Sequence, residues 1–298
     1  MSSKYLSLAR YTAYGRYLWK CVASNVRINP LVQAADWEAF SALRGVELKT
    51  FAFKRADYQA WVEKLFPGYL KQYSHLEHKK LQEFYISYHL LGPQPQQVFM
   101  DAAGGANGYL SRLDCRRNIL QDIRISEATR NFLGSAVEYV EGDARRFPLD
   151  DASVDRISCH HSFEHFQGDS DRHFVQEVQR ILAPGGRCCI VPILTGDRYV
   201  EVTDRFTRRY RTDDRARYLI DPTANVPGGK GSGNFARVYD IQALQERVID
   251  GFDQNQFRVS IHAAEMDGQP VPDRTLPCHR FVTGVNYPYR ALVIDRLA

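Results

Sequence analysis

Two histidines four residues apart, His161 and His165, follow an apolar run and bracket Glu164. Imidazole has an intrinsic pKa near 6.5, so either ring can take a proton from a hydroxyl at neutral pH. Three acids stand at the ends of other apolar runs: Asp101 after Val98-Phe99-Met100, Asp122 after Ile119-Leu120-Gln121, and Asp143 shortly after Val137-Glu138-Tyr139-Val140. A carboxylate at a strand tip accepts hydrogen bonds from a ligand's hydroxyl or amino groups. Asp101 leads directly into Ala102-Ala103-Gly104-Gly105-Ala106-Asn107-Gly108, where small residues let a nucleotide-like ligand approach the backbone. Asp122 follows it by roughly 20 residues, the interval at which a doubly wound fold hydrogen-bonds a ribose.

The elements that must carry these groups follow from periodicity. The run ending at Asp101 reads as a buried strand, followed by a turn and the start of a helix near Gly108. Runs ending at Asp122 and Val140, the run before His160, and Cys188–Leu194 give four more strands. Helical stretches alternate with them, which predicts a parallel sheet covered on both faces. Residues 1–92 show helical spacing in 5–19, 31–43, 58–66 and 74–91, and Gly92-Pro93 stops the last of these. The expected layout is a helical N-terminal extension (1–92) and an α/β domain (93–298). Within the domain a charged, glycine-containing insertion (195–238) interrupts the helix–strand rhythm. Ile241–Ile249 is then expected as a helix, and Phe257–His262 and Tyr289–Leu297 as strands, with an extra loop over 264–288.

These residues together resemble the class I S-adenosylmethionine-dependent methyltransferases that act on small molecules. Asp101-Ala-Ala-Gly-Gly-Ala-Asn107 is similar to the family's first motif, with Ala103 in place of its first glycine and Asn107 in place of its third. Asparagine tolerates left-handed backbone, so the turn is expected to survive. Gly142-Asp143-Ala144, the Phe147-Pro148…Ser153-Val154-Asp155 segment, His161…Glu164-His165 and Leu182-Ala183-Pro184-Gly185-Gly186 match later motifs in order. The resemblance covers about residues 95–195. It implies a doubly wound, mostly parallel seven-stranded sheet of Rossmann-like type, with an antiparallel final strand. It also implies S-adenosyl-L-methionine as cofactor, held by Asp101, Ala103, Gly104, Gly105, Asn107, Asp122, Ile123, Asp143, Ala144 and His160. Gly104 and Gly105 would admit the methionine end, Asp122 the ribose hydroxyls and Asp143 the adenine amino group, with Ile123 and Ala144 flanking the ring. The expected reaction is methyl transfer to a hydroxyl, or less favourably an amine, of a small molecule. His161 is the first choice for its base and His165 the second. Residues 1–92 and 195–238 are expected to cover the substrate side of the pocket.

The same residues admit other readings. Ala103-x-Gly105-x-x-Gly108 approaches the nicotinamide fingerprint, but its first glycine is missing and that reading leaves the later motifs unexplained. His161-x-x-Glu164-His165 spells an inverted zinc-peptidase pattern without an obvious acidic third ligand, so no metal is expected. A methyltransferase-like scaffold that binds a partner without catalysis is the rival from another class. Six arginines between Arg205 and Arg217 read as a solvated, salt-bridged helix or as an anion-recognising site. Pro227–Gly233 reads as a flexible loop or lid rather than a phosphate loop.

The formal charge of +4 over 298 residues does not call for a nucleic-acid partner. The six cysteines lack metal-type spacing, and Cys188 and Cys189 should point to opposite faces of one strand. A reduced, cytoplasmic protein is expected. No apolar run is long enough to span a bilayer. Five basic residues and no acid precede Asp36, so the first 35 residues read as a packed helix, with a transit peptide or membrane-surface helix as alternatives.

Overall fold

Apolar runs bounded by turn residues become strands when both of their faces are buried, and residues 98–191 show this in sequence. In the computed structural model, which describes residues 32–67, 77–105, 108–204, 213–221, 235–273 and 287–298, the order of elements is as follows. A short 3-10 turn (Trp37–Ala42) precedes β1 (Val46–Phe53), α1 (Arg55–Leu65) and α2 (Glu77–Leu91). Next come β2 (Val98–Ala102), β3 (Arg117–Asp122), α3 (Glu127–Leu133), β4 (Glu138–Glu141), β5 (Val154–His160), α4 (Ser170–Ile181) and β6 (Leu182–Val191). The insertion supplies β7 (Val200–Asp204), β8 (Arg217–Asp221) and β9 (Ala236–Val238), and α5 (Ile241–Arg247) follows. The chain ends with β10 (Phe257–Met266), the short pieces β11 (Gln269–Pro270), β12 (Pro272–Asp273) and β13 (Tyr287–Pro288), and β14 (Arg290–Arg296).

The main sheet runs β1-β10-β14-β6-β5-β2-β3-β4, with β11 paired to β10. β14 is antiparallel to both of its neighbours, and the other strands along this path pair in parallel. The expected seven strands are therefore corrected to nine. The two additions are the short β11 and β1, which pairs with β10 from Val46↔Val259 to Phe53↔Met266. The expectation of helices throughout the N-terminal extension is corrected with it: 46–53 is strand, and only a 3-10 turn lies within 31–43. Residues 5–19 lie outside the described residues.

Strand alternation sorts the core into two layers. Val98, Met100, Ala102, Cys188 and Ile190 face one layer with Phe174, Val175, Val178 and Ile181 of α4. Phe99, Cys189 and Val191 face the other layer with Leu81, Phe84, Tyr85 and Ile86 of α2. Adjacent Cys188 and Cys189 thus point to opposite faces, as expected. Helix α2 ends where Gly92 takes φ +55° and its N–H bonds the Tyr88 carbonyl, a glycine stop.

The helix expected after Gly108 is also corrected. Among the described residues between Ala102 and Arg117, the one helical element is a 3-10 turn, Leu110–Arg112. Tyr109 and Leu110 are buried beside α2, with the Tyr109 ring stacked on Phe84 at 4.7 Å. α2 supplies cover on that face.

Candidate functional site

The tip of β2 is built around a carboxylate that solvent does not reach. Asp101 is fully buried, and its Oδ1 accepts from the Ser158 hydroxyl at 2.7 Å and pairs with His160 Nδ1 at 2.9 Å, both on β5. His160 Nε2 lies 2.6 Å from the Ser87 hydroxyl of α2, and its ring sits edge-on to Phe84 and Tyr109. Burial also pushes the Tyr109 phenol well above its ordinary range. His160, expected among the cofactor-contacting residues, is therefore a buried brace between the sheet and α2, with both ring nitrogens already engaged. Asp101 has the same character, since it supports the turn from below.

That turn leaves the strand in left-handed conformations. Ala103 takes φ +51° and Gly105 φ +61°. Gln121, fully buried on β3, ties neighbouring tips together: its Oε1 accepts from the Ala103 amide at 3.2 Å and its Nε2 donates to the Gly142 carbonyl at 2.6 Å. A Cβ on Gly104 would lie 2.3 Å from Asp101 Oδ2, whereas one on Gly105 would meet nothing within 4 Å. Gly104 is thus required for packing, and Gly105 faces open space. Asn107 lies outside the described residues.

At the tips of β3 and β4 the remaining expected residues line one edge of that opening. Asp122 accepts from the Gly105 amide at 3.0 Å and from the Arg124 amide at 3.3 Å, one on each oxygen. Each oxygen keeps a lone pair for a further donor. Ile123, just past β3, is 70% exposed, and Ala144 is partly buried against the core. Arg145 donates to Asp143 from its guanidinium at 2.7 and 2.9 Å and from its backbone amide at 2.9 Å. These bonds hold the Asp143 carboxyl below its usual range.

The end of β5 carries the histidines. His161 takes φ +45°, unusual for a non-glycine residue, and Ser162 bonds both the Ala103 and His160 carbonyls, tying two strained turns together. His161 Nδ1 lies 3.0 Å from Glu164 Oε1, and its Nε2 lies 3.0 Å from Glu83 Oε1 of α2. Both ring nitrogens are thus taken up by carboxyl groups of the fold. Lys80 Nζ reaches the other Glu83 oxygen at 3.1 Å, so this buried carboxyl has a basic group beside each oxygen. This corrects the choice of His161 as base, because both of its nitrogens are already engaged by Glu83 and Glu164. Burial pushes the Glu164 carboxyl up, but the charge of His165 and the hydrogen bond and charge of His161 outweigh it, leaving it at about 2.

His165 is placed differently. Its Nδ1 lies 2.5 Å from the Phe235 carbonyl, which can only accept, so that nitrogen carries the proton. In the neutral ring the lone pair is then on Nε2, 3.7 Å from Glu164 Oε1, in a side chain that is 47% exposed. Phe235 belongs to the insertion, whose β9 packs on the turn Phe163–His165. Residues of 77–91 and of 195–238 therefore both reach the histidine turn, through Glu83 and Phe235. The arginine run is not the expected helix where it is described, since Arg217–Asp221 is strand and Arg215 pairs with Glu246. Residues 205–212 and 227–233 lie outside the described residues. Glu83, Gln121 and Phe235 were missed by sequence reasoning. No motif marks them, and their parts depend on contacts across the fold. Among the described residues no group of three or more His, Cys, Asp or Glu side chains is arranged to hold a metal, and no helix is long and apolar enough to cross a membrane.

Residues 100–190, from β2 to near the end of β6, match a family model described as a methyltransferase domain. No curated protein matches the chain. Among solved structures, the 1,6-didemethyltoxoflavin N1-methyltransferase of Burkholderia thailandensis, crystallised with its substrate and S-adenosylhomocysteine, is similar at 13% identity and TM-score 0.46, over 90% of this chain and 95% of that one. The PH0226 protein of Pyrococcus horikoshii is similar at 15% identity and TM-score 0.46, over 80% of this chain and 99% of that one. The YcgJ protein of Bacillus subtilis gives 21% identity and TM-score 0.34 over 38% of this chain, which spans about half of that protein, 51%. At these identities and scores, none of the three bears on the substrate.

Proposed function

We propose, from the premise that residues 100–190 are a class I S-adenosylmethionine-dependent methyltransferase domain, that this chain methylates a hydroxyl group on a small molecule with His165 as its base. The observation that carries the choice is the Phe235 carbonyl, which takes the Nδ1 proton of His165 and leaves Nε2 as the acceptor. An amine that is already unprotonated would need no such group.

The residues at the strand tips suit this cofactor. The open space above Gly105 admits a chain close to the backbone, and both Asp122 oxygens keep capacity for ribose hydroxyls. Ile123 offers an exposed apolar side chain to an adenine face, and Asp143 and Ala144 stand at the neighbouring tip. Asp101 and His160 act from beneath by fixing the turn. When bound, S-adenosylmethionine supplies a methyl group already activated by its sulfonium. The chain's own work is then alignment, exclusion of water and proton removal. Residues of α2 and the segment 235–239 around β9 form the cover on the histidine side. His165 Nε2 accepts the proton of the attacking hydroxyl, and Glu164, ionised and close by, stabilises the imidazolium that forms. His161, locked between Glu83 and Glu164, keeps that carboxylate in place.

The test is methyl transfer from isotopically labelled S-adenosylmethionine to a panel of phenols, aliphatic alcohols and amines. Hydroxyl compounds are expected to be methylated, and His165→Gln to slow that reaction by about 10²–10⁴-fold with S-adenosylhomocysteine affinity nearly unchanged. Methylation of amines alone, or full turnover by His165→Gln, would sink the reading.

A further inference from the structure

Arg237 is fully buried on β9, two residues after the carbonyl that bonds His165. It faces Glu201 in register on the adjacent antiparallel strand β7, and its Nε and Nη2 donate to Glu201 Oε1 at 3.1 and 2.8 Å. Its Nη1 lies 2.7 Å from Asp171 Oδ2, at the start of α4. Its Nη2 also donates to the Gly168 carbonyl at 2.7 Å, three residues beyond His165. Arg247 of α5 grips the same two places, donating to both Asp171 oxygens at 2.7 and 2.8 Å and to Gly168 at 2.6 Å. Tyr239 adds its hydroxyl to Asp171 at 2.8 Å.

We infer that Arg237 is the positioning residue that fixes the tautomer of His165, an inference that rests on the reading of His165 as the base. One guanidinium holds both sides of the contact. It clamps the histidine turn through Gly168 and the short strand that presents Phe235 through Glu201 and Asp171. The planar fork matters, because these acceptors lie in different directions and a single ammonium cannot meet them together. β9 is only three residues long, and among the described residues the strand it pairs with is β7 in the small sheet. The Tyr239 backbone bonds to Leu194 and Gly196 anchor its far end, and this buried side chain is what ties its near end, beside Phe235, to the turn. If the strand slips, the Phe235 carbonyl leaves Nδ1, and the proton is free to occupy either ring nitrogen. A ring protonated on Nε2 presents no lone pair toward the open side and cannot serve as base.

The experiment is nitrogen-detected NMR of ¹⁵N-histidine protein saturated with S-adenosylhomocysteine, which requires no methyl acceptor. The wild type is expected to hold the His165 proton on Nδ1. In Arg237→Lys the other tautomer should rise to at least about a tenth of the population, while S-adenosylhomocysteine affinity stays within about twofold. Glu201→Gln, which leaves Arg237 on Asp171 and Gly168, is expected to shift the tautomer in the same direction by less, and it decides the matter if Arg237→Lys does not fold. A wild-type ring protonated on Nε2, or a single unchanged tautomer in the folded variants, overturns the inference. Should the tautomers behave as stated while no hydroxyl compound is methylated, the positioning stands and the O-methyl reading falls.

Discussion

Replacing Gly104 and Gly105 separately by alanine should produce opposite phenotypes from adjacent residues. At Gly104 the new Cβ would lie 2.3 Å from Asp101 Oδ2, 2.7 Å from its Cγ and 2.8 Å from Leu120 Cδ1. The carboxylate cannot retreat easily, because Ser158 and His160 hold its other oxygen and no solvent reaches it. Overpacking of this kind costs about 1–3 kcal/mol, and loosening a buried, hydrogen-bonded carboxylate places Gly104→Ala near the top of that range. At ~2–4 °C per kcal/mol for a chain of this size, the midpoint should fall by about 5–10 °C. At Gly105 a Cβ has room, so the penalty is the left-handed φ of +61°, about 1–2 kcal/mol for an L residue. That methyl, however, stands in the space assigned to the cofactor, and S-adenosylhomocysteine affinity should fall by about tenfold or more, equivalent to ~1.4 kcal/mol. Thermal unfolding and titration calorimetry on both variants decide it. A Gly104→Ala protein that melts with the wild type would show that Asp101 is not locked. A Gly105→Ala protein that binds normally would place the cradle elsewhere.

Asp122→Ala should weaken S-adenosylhomocysteine binding by about 1–3 kcal/mol in calorimetry, because buried ribose hydroxyls would lose a charged acceptor, with Asp122→Asn intermediate. The pH dependence of stability should carry a signature of Glu164, whose carboxyl is held at about 2 in the fold and titrates near 4.5 without it. In that window the unfolded chain binds the proton first. Its stabilisation, about 3 kcal/mol at most from the size of the shift, is complete above pH ~4.5 and lost as pH falls toward 2. Denaturant midpoints measured between pH 5 and 2.5 should drop less steeply for Glu164→Gln than for the wild type, and parallel curves would contradict this.

The parallel strands of residues 98–191 were legible because their apolar runs end in acids and small residues that local chemistry requires. Asp122 and Gly105 stand where that pattern put them, with the amide of one bonded to the carboxylate of the other. β1 was not legible: its partner β10 lies more than two hundred positions away, and 46–53 alternates too weakly to declare an edge strand. The surroundings of the histidines were not legible for a related reason. Spacing brought His160, His161 and His165 to one strand end, but it does not reveal that Ser87 and Glu83, both on α2, reach His160 and His161. Nor does it show that a carbonyl of the insertion faces His165. A left-handed His161 also breaks the alternation from which its direction would be inferred.

The pairing of β1 with β10 sets a timetable for synthesis. Val46 has no strand to lie against until Val259 has left the ribosome, and the Ala35 carbonyl waits for Arg290. At roughly 5–20 residues per second, the delay is on the order of 10–40 s. During it Phe51 and Phe53 can gather with Tyr58 and Tyr85, the local aromatic cluster they keep in the finished protein. The sheet therefore closes late, from its two chain ends inward, after the strands that present Asp101, Asp122 and the histidines have emerged. Truncation before β10 would leave that half-sheet with an unsealed β6 edge, a surface open to strand pairing between nascent chains.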